Sequence, residues 1–269
     1  MPNDPLYLAT AVDAALAAGR IQRQYFRQNP RIDKKGVIDL VTEADLEVER
    51  GFRQLIAERF PSHVVLGEET PPVAGDDKAQ FRWIIDPIDG TTNFAHGLAI
   101  FCVSIALEID GQVEVGVVYD PMAEELFTAE RGEGSWLNGK AIHVSKCPDI
   151  ENSLLCIGFP YSVHEPVRRA ELLADIDGFL GRSQGVRRLG SAALDLCYVA
   201  AGRLEAFWEA HLQPWDSAAG ALVVEGAGGK VTNYSGGVFT PFFPQVIATN
   251  GHIHAEWLQT FAEMRRRRS

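Results

Sequence analysis

Asp86 and Asp89 stand three residues apart in WIIDPIDGTTNF (83–94), where an apolar run that reads as a buried strand reaches two acids, with Pro87 between them and Gly90 close behind. Acids at a strand end are commonly turn formers whose side chains bond local backbone. Other acids in comparable places give the pair a second reading: Glu68 and Glu69 end VVLGEE, and Asp216 follows Pro214 where a helical pattern opens. Carboxylates converging from neighbouring strand ends repel one another and cannot all stay ionised unless a cation offsets them. The spacing is not that of an EF-hand, because it lacks the alternating Asp/Asn positions and the glutamate at position twelve. Oxygen donors without His or Cys at ligand spacing favour Mg2+ or Mn2+ over Zn2+. A carboxylate shared by two such ions roughly 4 Å apart would form the clamp used in phosphate-ester chemistry. Gly90, Thr91 and Thr92 add backbone N–H groups and hydroxyls where a helix can start, a place suited to a phosphate.

These residues need elements to hold them. Residues 6 to 27 read as a helix with weak caps, followed by the basic, turn-like RIDKKGVID. Thr42 reads as an N-cap with Asp45 three residues on, opening a helix that stops at Pro61. TPPVAGDDKA reads as a loop. Strands are predicted at FRWIID, AIFCVSIALEI, VEVGVVYD, ELFTAE and AIHVS, with hairpin turns at Asp110-Gly111 and Asn138-Gly139. After residue 150 strand-like SLLCIGF, RLEAFWEA, KVTNY and QVIATN alternate with helical HEPVRRAELLADIDGFL, SAALDLCYVAAG, WDSAAGALVVEGAGG and a last helix. A strand-rich middle with alternating flanks predicts a layered α/β or α+β protein.

Composition bounds the rest. The chain has 269 residues, 46% hydrophobic, enough for one domain over 1–269 or two tightly packed halves of about 1–150 and 151–269. A formal net charge of -11 argues against a nucleic-acid surface, and any bound phosphate needs a cation. No stretch has the length of a membrane span and no signal-peptide pattern opens the chain, so no membrane partner and a cytoplasmic location are expected. Cys102, Cys147, Cys156 and Cys197 lack a CxxC pair and read as free thiols. The arginine run 265–268 reads as the basic last turn of a helix.

Five blocks in order carry a resemblance: DLVTEAD (39–45), GEET (67–70), DPIDGTTNFAHG (86–97), LGSAALDLC (189–197) and PWDSAAG (214–220). Through them the chain resembles the inositol monophosphatase family over nearly its whole length. The resemblance implies a layered αβαβα sandwich of the inositol monophosphatase and fructose-1,6-bisphosphatase type, usually a homodimer. It also implies Mg2+-dependent, Li+-inhibited hydrolysis of a small phosphate monoester with two to three ions, for which Mn2+ is an alternative. Glu68, Asp86 and the Ile88 carbonyl would hold one ion, Asp86, Asp89 and Asp216 a second, and Glu68 a third through waters. Asp45 and Thr91 would orient the attacking water, with Glu68 counted among the catalytic groups. Ile88, Asp89, Gly90, Thr91, Thr92, Gly190, Ser191, Ala192, Glu209 and Asp216 would meet the substrate, with Lys34 near the phosphate and Glu69 behind the ligands.

Plain roles stand beside these. Asp45 fits a helix cap, Thr92 a helix start, Glu209 a solvated strand end, the small residues of GSAAL a packing face, and Lys34 an exposed turn. His96, Phe207 and Trp208 read as structural, and His143, His164 and His211 show no ligand spacing. Gln213 stands where many animal members have His, and GFPY (158–161) replaces a serine-bearing segment, which bears on substrate and leaves the carboxylates whole. The leading expectation is a phosphatase for myo-inositol 1-phosphate or similar polyol monophosphates. Alternatives are histidinol phosphate, fructose 1,6-bisphosphate or a 3',5'-bisphosphonucleotide as substrate, or a regulatory binding protein with incidental phosphatase activity.

Overall fold

Asp4 starts the first helix, α1 (Pro5–Tyr25), by accepting a hydrogen bond from the Leu6 N–H at 3.0 Å, while Pro5 occupies a position where no N–H is needed. The computed structural model describes residues 4–28, 32–34, 40–71 and 78–266, and at 32 and 34 the backbone only. Where the sequence reads as a basic turn, β1 (Ile32–Lys34) pairs antiparallel with β2 (Leu40–Thr42), which leads into α2 (Glu43–Arg59). The side chain of Lys34, Arg267 and Arg268, and most of the proline-rich loop lie outside the described residues.

A seven-stranded sheet follows in chain order: β3 (Val64–Gly67), β4 (Phe81–Asp89), β5 (Cys102–Ile109), β6 (Gln112–Asp120), β7 (Glu125–Glu130), β8 (Gly134–Leu137) and β9 (Lys140–Ala141). Only β3 and β4 run parallel. The short α3 (Thr91–Ala95) sits between β4 and β5. Both anticipated hairpin turns form, with positive φ at Asp110 and Gly111 (50° and 81°) and at Asn138 and Gly139 (50° and 73°). The strand expected at AIHVS reduces to Ala141: Ile142 and Val144 give their N–H groups to Ser135 and to Ala227, so the segment crosses between elements instead of extending the ladder.

The second sheet is built from β10 (Leu154–Ile157), α4 (Pro166–Leu180), β11 (Gly185–Arg187), α5 (Ala192–Ala200), β12 (Ala206–Ala210), α6 (Pro214–Gly226), β13 (Lys230–Thr232), β14 (Gln245–Thr249) and α7 (His254–Arg266). Its strand order is β11-β10-β12-β14-β13. Period-two alternation sorts the side chains into layers. Trp83 and Ile85 of β4 pack with α1 and α2, while Ile84 packs with α5 and α6. On β12, Phe207 turns to α5 and α6, and Ala206 and Trp208 turn to α4 and α7. The result is an αβαβα sandwich of the inositol monophosphatase and fructose-1,6-bisphosphatase type, with α5 and α6 between the sheets. Phe207 and Trp208 are fully buried core residues, as expected.

β4 does not stop at its acids. It continues through Pro87 to Asp89, and its pairing with β5 shifts there: Asp86 faces Ser104, while Asp89 faces Cys102. Three residue steps on β4 thus match two on β5, with Pro87 and Ile88 set against Val103 alone, a β-bulge. In a regular strand residues three apart point to opposite faces. The extra residue puts both aspartates on the side of Cys102 and Ser104, toward the middle helices, and Pro87 sits where a missing ladder donor is tolerated. Among the described residues no helix is long and apolar enough to cross a membrane.

Candidate active site

Asp45 is fully buried in the first turn of α2. Its Oδ2 accepts from the Thr42 N–H at 2.8 Å and from the Thr42 hydroxyl at 2.6 Å, which is the helix-capping role. Its Oδ1 is buried with no hydrogen-bond partner. Burial, followed by the charges of Glu69 and Glu68, pushes its carboxyl up to about 8 against the Thr42 bonds. One carboxylate therefore caps with one oxygen and leaves the other buried and unpartnered, within electrostatic reach of Glu68 and Glu69.

Three ties draw the remaining acids together. Asp89, at the end of β4, accepts from the Ser191 hydroxyl at 2.6 Å, the Ala193 N–H at 2.7 Å and the Ala192 N–H at 3.2 Å, joining the bulge to the N-terminus of α5. The Ser104 hydroxyl donates to the Trp215 carbonyl at 3.0 Å, seating the start of α6 against β5. Asn93 of α3 donates to the carbonyls of Ile100 and Leu189, at 2.9 and 2.8 Å. Asp216 caps its own helix, its Oδ2 accepting from the Gln213 N–H at 2.7 Å. Gly90 turns the chain into α3 at φ 97°, and a Cβ there would stand 2.9 Å from the Ile100 carbonyl.

The carboxylates so assembled raise one another. Asp86 is held well above the usual carboxylate range by burial, then by Glu68, Asp89, Asp216 and Asp45. Asp216 is raised by burial and then chiefly by Asp89. Asp89 is pushed up to about 6 by burial, moderated by its three donors. Among the described residues no three His, Cys, Asp or Glu side chains form a ready-made ligand shell. The acids are engaged locally instead: Asp86 Oδ1 accepts from the Ile88 N–H at 2.9 Å, and the Thr91 hydroxyl donates to the Ile88 carbonyl at 2.8 Å. The donor set nevertheless fits a hard cation, since it consists of oxygens crowded at a cost that a divalent ion would offset, beside the unpartnered oxygen of Asp45.

Two adjoining clefts meet at Asp89, Gly90, Thr91, Tyr161, His211 and Asp216. One continues to Glu68, Asp86, Ile88, Gln213 and Trp215, and the other to Thr92, Gly190, Ser191, Ala192 and Glu209. The structure thus brings together the residues singled out in the sequence, apart from Lys34, whose side chain lies outside the described residues, and Asp45 and Glu69, which line neither cleft. Ser191 and Ala192 spend donors on Asp89 while lining the second cleft. Glu209 is buried rather than solvated, and burial, then Asp195 and Asp89, push its carboxyl up to about 8. The residues that sequence reasoning missed are Arg188 and Asp195 in the second cleft and His211, which lines both, as does Tyr161 of the GFPY segment. The Arg188 guanidinium lies 5.2 Å from the Phe159 ring centroid, and Asp195 Oδ1 is buried without a partner. The Arg187-Arg188 pair just before LGSAALD was the available signal for the first; Asp195, inside an apolar helix pattern, offered little. His96, His143 and His164 are exposed and away from both clefts.

Comparison with known proteins places these observations. A model of the inositol monophosphatase family matches residues 4–266. The chain is similar to inositol monophosphatase 3 of Solanum lycopersicum, 40% identical over 265 residues that cover 96% of this chain and 97% of the relative. It is 42% identical over 235 residues to the Nus factor SuhB of Pseudomonas aeruginosa, covering 85% of this chain and 86% of that one. The crystal structure of the extragenic suppressor protein suhB from Bartonella henselae superposes with a TM-score of 0.89 at 41% identity, covering 95% of this chain and 98% of that one.

Proposed function

The chain belongs to the inositol monophosphatase family, and from that premise we propose that it is a Mg2+-dependent phosphatase of small polyol monophosphates, myo-inositol 1-phosphate among them. The observation that carries this reading is the convergence of Glu68, Asp86, Asp89 and Asp216 on one cleft, where burial raises the last three. Glu68, Asp86, Asp89, Asp216 and the Ile88 carbonyl would hold the ions, and family members are typically Mg2+-dependent. Bound there, Mg2+ supplies charge neutralisation and Lewis acidity toward a phosphate oxygen and a water. Asp45 Oδ1 would accept that water's proton once bound cations offset the Glu68 and Glu69 charges that help hold its carboxyl at about 8. Thr91, whose hydroxyl hydrogen is committed to the Ile88 carbonyl, offers the water an acceptor lone pair. The N–H groups of Thr91 and Thr92, in the first turn of α3, face no helical acceptor and suit a phosphate oxygen.

Substrate choice falls to the second cleft. With its carboxyl at about 8, Glu209 can donate as well as accept at neutral pH, which suits a ring hydroxyl. Thr92 adds no charge for a second phosphate. Arg188 adds one that the sequence reading did not count, so the preference for monophosphates is smaller than Thr92 and Glu209 alone imply. We place kcat/KM for inositol 1-phosphate at least about tenfold above that for histidinol phosphate or adenosine 3',5'-bisphosphate, a difference of roughly 1.4 kcal/mol. Li+ sensitivity, a homodimer and a cytoplasmic location belong to the same reading.

A regulatory binding role is a second reading, because SuhB relatives at similar identity carry the name Nus factor. The net charge of -11 argues against a direct nucleic-acid surface, and the intact acid set favours catalysis. A side-by-side panel of these phosphates and fructose 1,6-bisphosphate at equal Mg2+ tests the proposal. Asp89→Asn should lower turnover of the best substrate by at least about a hundredfold. Near-normal turnover in that variant would overturn the metal assignment, and no hydrolysis by the wild type would overturn the enzymatic reading; a bisphosphate as best substrate would overturn the specificity alone.

A further inference from the structure

Glu49 lies one turn beyond Asp45 on α2 and is 1% exposed, yet it belongs to no family block quoted above. Its Oε1 accepts from Arg53 Nε at 2.8 Å, and its Oε2 accepts from the Glu69 N–H at 2.8 Å. Arg53 in turn donates through Nη1 to the Val65 carbonyl at 2.9 Å. The two side chains therefore grip β3 at both ends of a short stretch, Val65 before the turn and Glu69 after it. The peptide plane held at Glu69 is the one that leaves Glu68. Gly67 makes room for this: a Cβ there would stand 2.5 Å from the carboxylate carbon and Oε2 of Glu49. A buried carboxylate is costly unless paired; Arg53 meets that cost for Glu49, which leaves its second oxygen for the backbone N–H that follows Glu68.

We propose that Glu49 is a positioning residue that aims Glu68 at the metal site, with Arg53 supplying its counter-charge and Gly67 the space. Asp45, Glu49 and Arg53 fall on one stripe of α2 at four-residue spacing. A single helix face thereby carries both the unpartnered oxygen of Asp45 and the clamp on the neighbouring ligand, so the two are set relative to each other by rigid backbone. The charge of Glu49 is consumed by Arg53, which separates it from the ligand acids: it shapes the turn without joining the shell. This inference rests on the metal reading of Glu68 given above.

The test measures Mg2+ binding by titration calorimetry on wild type, Glu49→Ala, Glu49→Gln and Gly67→Ala, together with the KM and half-saturating Mg2+ of turnover. Glu49→Ala is expected to weaken Mg2+ binding and raise half-saturating Mg2+ by about tenfold or more, with the substrate KM changed less than about threefold. Glu49→Gln, which keeps an oxygen for the Glu69 N–H, should recover most of the affinity. Gly67→Ala leaves the Glu49–Arg53 pair chemically intact and should reproduce the Glu49→Ala defect by displacing the carboxylate; it is the decisive arm if Glu49→Ala does not fold. Melting in EDTA separates the effects, because a purely structural role lowers the melting temperature without moving Mg2+ affinity. Equal Mg2+ affinity in wild type and in folded Glu49→Ala or Gly67→Ala would overturn the clamp. Absence of Mg2+ binding by the wild type would overturn the metal reading beneath it.

Discussion

Asp45 divides its oxygens between two tasks, and substitutions can pull the tasks apart. Asp45→Asn keeps an oxygen for the Thr42 N–H, so the cap survives, but it removes the proton acceptor. Turnover should fall by about 10²- to 10⁴-fold with a melting temperature close to wild type. Thr42→Val removes the hydroxyl that donates to Asp45 and should cost about 1 kcal/mol of stability in denaturant melts while leaving most of the turnover. If Asp45→Asn were lost to unfolding instead of inactivity, the division of labour would be wrong. Acids such as Asp45, Glu68, Asp86, Asp89 and Asp216 were legible because each sits next to a punctuation mark: a cap, a glycine or a proline. Arg188, Asp195 and Glu49 were not, since their meaning comes from what other elements bring against them. The same limit applies to Glu209, which reads as a strand-end acid until the layers close over it.

At the scale of elements, the bulge in β4 decides which way an acid faces. Inserting one residue beside Val103 of β5, opposite the bulge, would restore regular pairing at three steps on each strand and turn one of Asp86 and Asp89 toward α1 and α2, into the apolar layer of Trp83 and Ile85. The expected result is loss of Mg2+ binding in calorimetry and strong destabilisation, because a carboxylate would be buried among apolar side chains. Replacing Pro87 by Ala keeps the residue count, and so the bulge, and should bind Mg2+ within about threefold of wild type. Hairpins and long helices could be read from the sequence because their turn glycines and periodicity are local. The bulge could not, since an extra residue exists only relative to a partner strand. β1 and β2 escaped for a related reason: three-residue strands carry too little alternation to stand out from a basic turn. The segment AIHVS alternates like a strand but finds its partners on two different elements.

For the whole molecule, on the proposed metal reading, crowding of acids between two sheets would make the ion part of the folding equilibrium. At a Mg2+ concentration a hundredfold above its Kd, one site adds about 2.7 kcal/mol, a rise in melting temperature of roughly 5 to 10 °C for a chain of this size. Scanning calorimetry with Mg2+ and with EDTA checks this, and identical curves would remove the ion from the balance. The layer order was legible through the family resemblance, whereas local patterns alone led only to a layered α/β or α+β class, because nothing local says which faces of two sheets meet. Where the acids lie along the chain has a temporal side as well. Asp45, Glu68, Asp86 and Asp89 come early, whereas the α5 N-terminus that holds Asp89 and the α6 turn that carries Asp216 come late. During synthesis, which proceeds from the N-terminus, the growing chain carries most of its acids long before the elements that arrange them. On the proposed metal reading, a nascent or prematurely terminated chain would thus remain catalytically silent and bind divalent ions poorly, so that acquiring the ion would double as a signal that translation and docking of the second sheet are complete.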